Sequence, residues 1–154
     1  MTGLAGIAVG GRGVAAVMLG HARGELLQQL RDALPGAVLV EDAIGDPVLD
    51  AVARHIDAPT DAPRFDLDLR GEAGERAVWA ALRAIPVGET RSYGAIAKAI
   101  AIGMTAQEVG AACAANRLAV VVPCHRVLKA DGSISGYRWG VHRKRQLLSL
   151  ETAA

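Results

Sequence analysis

The chain has 154 residues, of which 51% are hydrophobic and 3% aromatic, and its formal net charge is +1. This suits one compact domain or two small subdomains; no run approaches the roughly 18 apolar residues of a membrane span, and the start does not resemble a signal peptide. Two cysteines, Cys113 and Cys124, are too few for a disulfide framework and lack metal-ligand spacing, so we expect a reducing, cytoplasmic location and no metal site.

The first half of the sequence predicts a small α/β subdomain. Residues 3–9 and 14–19 flank a glycine-rich turn and indicate a β-hairpin. A leucine stripe predicts a helix over 25–34, and 37–40 is predicted to be a short strand. This half carries no recognisable chemistry, and we interpret it as a scaffold.

The scaffold continues with a second helix. Asp46 followed by Pro47 is typical of a helix start, and the helix should run to about residue 56. Residues 57–63 have the composition of a linker, and 65–69 alternate like a strand with one buried face.

From residue 71 the pattern becomes helical. One helix should end at the break 86–88, and Ser92 is a candidate cap for a second helix over 93–101. Thr105 and Glu108 have the capping-box spacing, which predicts a third helix to about residue 115. Two short helices joined by a tight turn indicate a helix-turn-helix, whose small-residue helix suits a DNA groove or a protein surface equally.

An apolar run then leads into the most reactive residues of the chain. Residues 120–122 are predicted to be a short buried strand or extended segment, and Pro123 restricts the backbone just before Cys124 and His125. Taken alone, this pair favours a packed cysteine beside a surface histidine over a nucleophile beside its base. A turn at 131–132 and a final helix over 139–151 complete the predicted elements.

Charge is distributed unevenly between the halves. Residues 1–70 contain six basic and ten acidic side chains, for a net charge of −4, whereas residues 71–154 contain 11 and six, for +5. A nucleic-acid face and an ordinary solvated surface both explain this asymmetry. The basic excess near the motif comprises Arg117, Arg126, Lys129, Arg138, Arg143, Lys144 and Arg145.

The run 123–127 (Pro-Cys-His-Arg-Val), with Asn116 upstream and the run 136–140 (Gly-Tyr-Arg-Trp-Gly) downstream, resembles the signature of the O6-alkylguanine-DNA alkyltransferases. These are also called methylated-DNA–protein-cysteine methyltransferases. The similarity extends from about residue 69 to 151 and points in particular to the C-terminal alkyltransferase half of Ada-type proteins. Ada-type proteins carry a cysteine-rich zinc domain before that half, and no such domain occurs in this sequence.

The resemblance implies a catalytic set. Cys124 would be the nucleophile, and His125, polarised by Glu151, would draw its proton through a water. A lowered thiol pKa is then expected, because the thiolate is the reactive form. Asn116 would hydrogen-bond the backbone of the active-site turn.

The resemblance also implies how DNA is bound. A base inside a duplex must be flipped out to reach a pocket, and Tyr93 would bond the flipped guanine and crowd its phosphate. Val127, Tyr137 and Arg138 would form the pocket's walls and base-edge contacts. The predicted DNA-binding residues are Ala106, Gln107, Glu108, Gly110, Ala111, Arg117 and Arg126.

The sequence departs from the family at the start of the third helix. The family places there an arginine that fills the gap left by the flipped base, and the matching residue here is Gln107. The next residue, Glu108, brings a negative charge to where phosphates pass, which predicts weakened DNA binding.

We therefore expect an α+β fold with two parts. Residues 1–70 would form a small N-terminal sheet subdomain, ribonuclease H-like in the family, and residues 71–154 the helical DNA-binding and catalytic subdomain. The expected function is single-turnover repair by a monomer on double-stranded DNA: a methyl or other alkyl group moves from O6-alkylguanine, and also from O4-alkylthymine, to Cys124 without a cofactor. A lesion-binding module with weak or no repair is the alternative; a cysteine hydrolase is disfavoured because nothing resembles an oxyanion site.

Overall fold

The computed structural model describes residues 3–41, 46–61 and 63–152, and it divides the chain into two compact units. The N-terminal unit contains the described residues up to 69 together with 117–121, and the C-terminal unit contains 70–116 and 122–152. Over these described ranges, no helix is long and apolar enough to cross a membrane.

The predicted hairpin of the N-terminal unit is confirmed. Strand β1 (Leu4–Gly10) pairs antiparallel with β2 (Gly13–Gly20), and the register shifts by a bulge between Ala8 and Val9. Gly13 has a φ of 120°, and a side chain there would collide with the Asp66 carbonyl, so only glycine fits this position. From Val14 onward β2 is buried, and the hairpin is therefore the core of this unit.

Two helices cover the hairpin, as the sequence predicts. Helix α1 (Arg23–Ala33) buries Leu26 and Leu30. Helix α2 (Pro47–Asp57) starts at Asp46, whose Oδ1 accepts hydrogen bonds from the backbone N–H groups of Val48 and Leu49 at 2.8 and 3.1 Å. This cap satisfies two donors that the first helical turn leaves free.

The two further strand predictions of this unit are wrong. Residues 37–40 form no strand, and Val38 and Val40 are 88% and 83% exposed. In the segment 65–69 only Leu67 forms a β-bridge, with Val14. An alternating pattern makes a strand only where a neighbouring backbone supplies hydrogen bonds, and these segments lack one over their length. Of the predicted linker 57–63, residue 57 ends α2 and residue 62 lies outside the described residues.

The predicted helices of the C-terminal unit are confirmed. Trp79 lies on the buried face of the first of them and donates from Nε1 to the carbonyl of Ala112 in the third at 2.9 Å, which joins the two helices through a buried hydrogen bond. The helices are α3 (Ala73–Arg83), α4 (Tyr93–Ile100), α5 (Ala106–Ala114) and α6 (Val141–Thr152).

Helices α4 and α5 form the predicted helix-turn-helix. Ser92 caps α4 by accepting from the Ala95 N–H at 3.1 Å. Ala101 and Gly103 have φ values of 52° and 81°, and this left-handed backbone ends α4. Thr105 and Glu108 then exchange two hydrogen bonds of 3.1 Å, so the capping box is present at the start of α5.

The strand predicted at 120–122 is wrong. These residues form a turn, and Val120 has a φ of 68°. A left-handed conformation is costly for a β-branched residue, so its side-chain pattern gives no hint of it. Two short strands lie before and after this segment in the sequence, and β3 (Arg91–Ser92) pairs in parallel with β4 (Val127–Leu128).

Candidate active site

Cys124 lies at the start of a single 3-10 turn, Cys124–Arg126, directly after Pro123. Its N–H donates to the carbonyl of Val122 at 2.8 Å, and the N–H of Arg126 donates to the carbonyl of Pro123 at 3.0 Å. The side chain is buried, with 5% of the residue exposed. The tight turn fixes the position of the sulfur.

Asn116 holds this turn from the end of α5. Its Nδ2 donates to the carbonyl of Val122 at 2.9 Å and to Sγ of Cys124 at 3.3 Å. The backbone hydrogen bond expected from the resemblance is therefore present, and the contact with sulfur is an additional one. A donor aimed at sulfur stabilises the thiolate over the thiol.

The electrostatic state of the thiol differs from expectation. Burial raises the pKa of Cys124 above its usual value; the hydrogen bond from Asn116 and the positive charges of Lys144 and Arg138 lower it without offsetting the effect. The expectation of a lowered pKa is wrong, because the free-energy cost of removing a thiolate from water exceeds the stabilisation that these neighbours supply. Burial also raises the pKa of Cys113, to about 12.

His125 and Glu151 form a buried pair. Nε2 of His125 is in hydrogen-bond contact with Oε1 of Glu151, and Nδ1 of His125 is buried with no hydrogen-bond partner among the described residues. Burial lowers the pKa of His125 more than Glu151 raises it. The imidazole is thus neutral at pH 7, with one nitrogen oriented by the carboxylate and the other available as a base.

Arg126 completes this group. Its Nε donates to Glu151 Oε2 at 2.8 Å, and its NH1 donates to the carbonyl of Ile85 at 2.7 Å. Only 2% of the residue is exposed, so the predicted contact of Arg126 with DNA is wrong. Burial by itself would raise the pKa of Glu151, but the hydrogen bonds and charges of His125 and Arg126 leave it below its usual value.

His125 makes no direct hydrogen bond to Cys124 in the part of the chain that the structure describes. We therefore expect proton transfer between the two side chains to pass through an intermediary such as water. The free Nδ1 is the atom that would accept the proton.

The predicted pocket residues all lie in the C-terminal unit. Tyr93, on the first turn of α4, hydrogen-bonds through its hydroxyl to Oγ of Ser135. The hydroxyl of Tyr137 is buried without a partner among the described residues, and its ring packs edge-on against Trp139 at 5.3 Å between centroids. Arg138 donates from NH1 to the carbonyl of Asn116 at 2.8 Å and lies over the Trp139 ring.

Lys144 is the residue that sequence reasoning missed. It is completely buried, and its Nζ donates to the carbonyl of Val127 at 2.7 Å and to Ser135 Oγ at 2.9 Å. Burial lowers its pKa. The signal was present in helical spacing, since Lys144, Leu147 and Glu151 lie on one buried face of α6.

The predicted DNA-binding residues of α5 are mostly exposed. Ala106, Gln107, Glu108 and Ala111 are accessible, and Gly110 is half-buried against the ring of Tyr93. Their exposed face is small and carries no positive charge. Arg117 lies in the N-terminal unit, where its carbonyl accepts from the Val17 N–H at 2.8 Å.

No group of three or more potential metal ligands occurs among the described residues. The groups present at the site are one buried thiol, an amide donor to its sulfur, and a neutral histidine fixed by an ion-paired carboxylate. This arrangement suits a nucleophilic attack by sulfur assisted by a base.

The chain is similar to a protein family and to several known proteins. Residues 73–153 match the profile of a protein family described as "6-O-methylguanine DNA methyltransferase, DNA binding domain". The chain is 43% identical over 147 residues to the bifunctional transcriptional activator/DNA repair enzyme Ada of Escherichia coli, covering 91% of this chain and 40% of that protein. It is 54% identical over 87 residues to a methylated-DNA–protein-cysteine methyltransferase of Mycolicibacterium paratuberculosis, covering 56% of this chain and 53% of that protein.

Among solved structures, the chain is similar to a Mycobacterium tuberculosis OGT in complex with DNA, with a TM-score of 0.73 and 32% identity over 97% of this chain and 86% of that one. It is also similar to the O6-methylguanine-DNA methyltransferase of Pyrococcus kodakaraensis, with a TM-score of 0.75 and 26% identity over 96% and 97% of the two chains. The chain thus spans about half or less of the two curated relatives and nearly all of these solved structures.

Proposed function

Because the chain belongs to the 6-O-methylguanine DNA methyltransferase family, we propose that it repairs alkylated DNA by moving the alkyl group from guanine O6 onto the sulfur of Cys124. The observation that carries the proposal is the placement of Cys124: a buried thiol on a fixed turn, bonded by Asn116, in the unit that also holds the His125–Glu151 pair. A scaffold cysteine needs none of these partners.

In the proposed reaction the thiolate of Cys124 attacks the alkyl carbon. The S–C bond forms as the C–O6 bond breaks, the electron pair stays on the guanine, and the guanine anion takes up one proton from water to become the neutral base. His125 takes the thiol proton through water at its Nδ1, and Glu151 holds the imidazole in the required orientation. The thioether that results has no route back to a thiol, so each chain reacts once and needs no cofactor.

We assign the base pocket to Tyr93, Val127, Tyr137 and Arg138, which belong to the same compact unit as Cys124. Double-stranded DNA is the proposed partner, with the exposed face of α5 toward it, and the target nucleotide leaves the stack to reach the thiol. A monomer suffices, because every proposed catalytic group lies in one chain.

A lesion-binding module without transfer is the second candidate, and Gln107 with Glu108 is the observation in its favour. Both side chains are exposed, and neither supplies the positive charge that a phosphate backbone attracts. The intact set around Cys124 speaks against it, since a module that only binds has no use for a thiol with an oriented base.

The two candidates separate in one experiment. The chain is incubated with a duplex oligonucleotide that contains a single O6-methylguanine, and the intact mass of the protein is measured beside the binding isotherm. Transfer predicts one added methyl group and a restored guanine, and Cys124→Ser should bind without any change in mass. Binding by the parent chain without added mass would select the lesion-binding module.

A further inference from the structure

Ser135 occupies a position between two groups that belong to different helices. Its Oγ accepts a hydrogen bond from Nζ of Lys144 on α6 at 2.9 Å and is hydrogen-bonded to the hydroxyl of Tyr93 on α4. Ser135 itself lies in the loop between β4 and α6. The sequence motif that carries the family resemblance begins one residue later, and no role for Ser135 follows from it.

The direction of the first hydrogen bond is fixed by chemistry. A lysine ammonium has three N–H donors and no acceptor, so Ser135 must accept. The remaining donors of Lys144 point to the carbonyls of Val127 at 2.7 Å and Gly136 at 3.5 Å. The ammonium therefore has three acceptors inside the unit, and Ser135 is one of them.

Either hydroxyl can donate in the second hydrogen bond. A phenol carries a single hydrogen, so whenever Tyr93 donates that hydrogen to another acceptor, its bond to Ser135 is kept only if Ser135 donates to the Tyr93 oxygen. Ser135 can do so, because its hydroxyl hydrogen is not used when its oxygen accepts from the ammonium. The resulting chain runs from ammonium to serine to phenol, and each bond polarises the next.

We propose that Ser135 is a positioning residue that turns the Tyr93 phenol into a hydrogen-bond donor for the base from which the alkyl group leaves. The inference rests on the proposed function. As the C–O6 bond breaks, the electron pair left on the purine makes its acceptor atoms more negative, so a donor fixed in place beforehand stabilises the transition state more than the ground state.

Free O6-methylguanine tests this without any need for duplex binding or base flipping. Single-turnover methylation of the parent chain is compared with that of Ser135→Ala, which removes the bridging oxygen, and Ser135→Thr, which retains it. Loss of one polarised hydrogen bond should slow Ser135→Ala by about fivefold, and Ser135→Thr should recover most of the rate. Ser133→Ala is the matched control, because its hydroxyl bonds only to Asp131 at 2.6 Å on the same loop, and it should react like the parent.

A structural role for Ser135 would slow the reaction whatever residue stands at position 93, so the decisive readout is a double-mutant cycle. In a Tyr93→Phe background, Ser135→Ala should cause no further loss of rate, because the group on which it acts is gone. Ser135→Cys, a near-isosteric change with a weak donor, should be as slow as Ser135→Ala and guards against a folding defect.

Three results would overturn the inference. A Ser135→Ala variant that reacts at the parent rate removes the role of the bridge, and an equal loss with Tyr93 and with Phe at position 93 assigns Ser135 to loop structure alone. A parent chain that forms no methylcysteine overturns the proposed function and this inference together, which is distinct from a parent chain that reacts and is indifferent to Ser135.

Discussion

The sulfur of Cys124 is buried, yet the proposed reaction requires it to lose its proton. Burial raises its pKa, while Asn116 and the nearby positive charges act in the other direction and are outweighed. We therefore expect Cys124 to be a thiol in the free protein at neutral pH, and the proposed transfer then requires a base.

This state predicts an unusual pH dependence for the free protein. Below its pKa a thiol gains about tenfold in thiolate per pH unit, so a raised pKa means that the reaction with iodoacetamide should keep accelerating through pH 9. The measurement uses Cys113→Ala, which leaves Cys124 as the single thiol of the chain. An ordinary exposed thiol such as glutathione should level off near pH 9, and a plateau for Cys124 below pH 8 would contradict the assignment.

His125 is the residue that we expect to relieve this restriction during transfer. His125→Gln keeps a side-chain amide near Glu151 but offers no basic nitrogen, so single-turnover transfer should slow by about 10²-fold. Affinity for duplex DNA should change little, because the imidazole is completely buried. A transfer rate and a pH–rate profile equal to those of the parent would remove His125 from the mechanism.

Two side chains at the start of α5, Gln107 and Glu108, lead to a specific prediction about the affinity for duplex DNA. Glu108 belongs to the capping box of this helix, so its replacement by alanine would also weaken the helix by about 1 kcal/mol. Gln107→Arg with Glu108→Gln retains the cap, adds one positive charge and removes one negative charge. This double variant should bind duplex DNA more tightly, with a steeper salt dependence and faster duplex repair, while its rate on free O6-methylguanine stays almost unchanged.

Lys98→Arg is a suitable control for that comparison, since it changes a basic side chain of α4 without changing charge. Its salt dependence should match that of the parent. If the double variant also behaves like the parent on duplex DNA, then α5 does not approach the phosphate backbone as proposed.

Most of the helices and turns could be predicted from local sequence, whereas the backbone at 120–122 could not. The hairpin, the caps of α2, α4 and α5 and the helix-turn-helix follow from turn glycines, capping residues and apolar spacing, all of which act within a few residues. The strand predicted at 120–122 failed because Val120 adopts a left-handed backbone that its side chain disfavours, so contacts distant in sequence must impose it.

The sequence likewise identified some residues of the site and missed the buried position of others. Cys124, His125, Asn116 and Glu151 were identified by resemblance, and the contacts of Asn116 and Glu151 follow that pattern. Arg126 and Lys144 were counted as surface charge, yet both are buried. Arg126 donates to Ile85 and Glu151, and Lys144 donates to Val127 and Ser135. These partners come from other elements of the fold, so composition does not reveal them.

At the scale of the whole molecule, the buried His125–Glu151–Arg126 group ties stability to pH. The folded pKa of both His125 and Glu151 lies below its usual value, so the unfolded chain binds more protons than the folded one as pH falls. The stabilisation is fully present above the unfolded histidine value near 6.5 and declines below it, with a further decline below about 4.3 as the carboxylate titrates.

The free energy of unfolding should consequently drop by about 2 kcal/mol at most between pH 7 and pH 5 through His125 alone. Urea unfolding across this range measures it. His125→Gln should flatten the profile between pH 5 and 7, whereas His142→Gln, at an exposed histidine, should leave it unchanged. A parent profile that is flat over this range would mean that the pKa of His125 is the same in the folded and unfolded chains, and stability that increases toward pH 5 would mean that the folded pKa is raised.

Two buried basic residues reduce the positive charge that the chain can offer to DNA. The second half of the chain has a net charge of +5, but two of its basic residues, Arg126 and Lys144, face inward. Fewer cations are thus available for phosphates than composition indicates, and we expect a shallow salt dependence of duplex binding by the parent chain.

The central claim, transfer of the alkyl group to Cys124, is tested most directly by locating that group after reaction. The chain is incubated with an excess of O6-methylguanine duplex, digested and mapped by peptide mass spectrometry, with repaired guanine counted against protein. The account predicts one methyl thioether per chain, on Cys124, one repaired base per chain, and the same result for Cys113→Ala. A methyl group on Cys113, or more than one repaired base per chain, would contradict it.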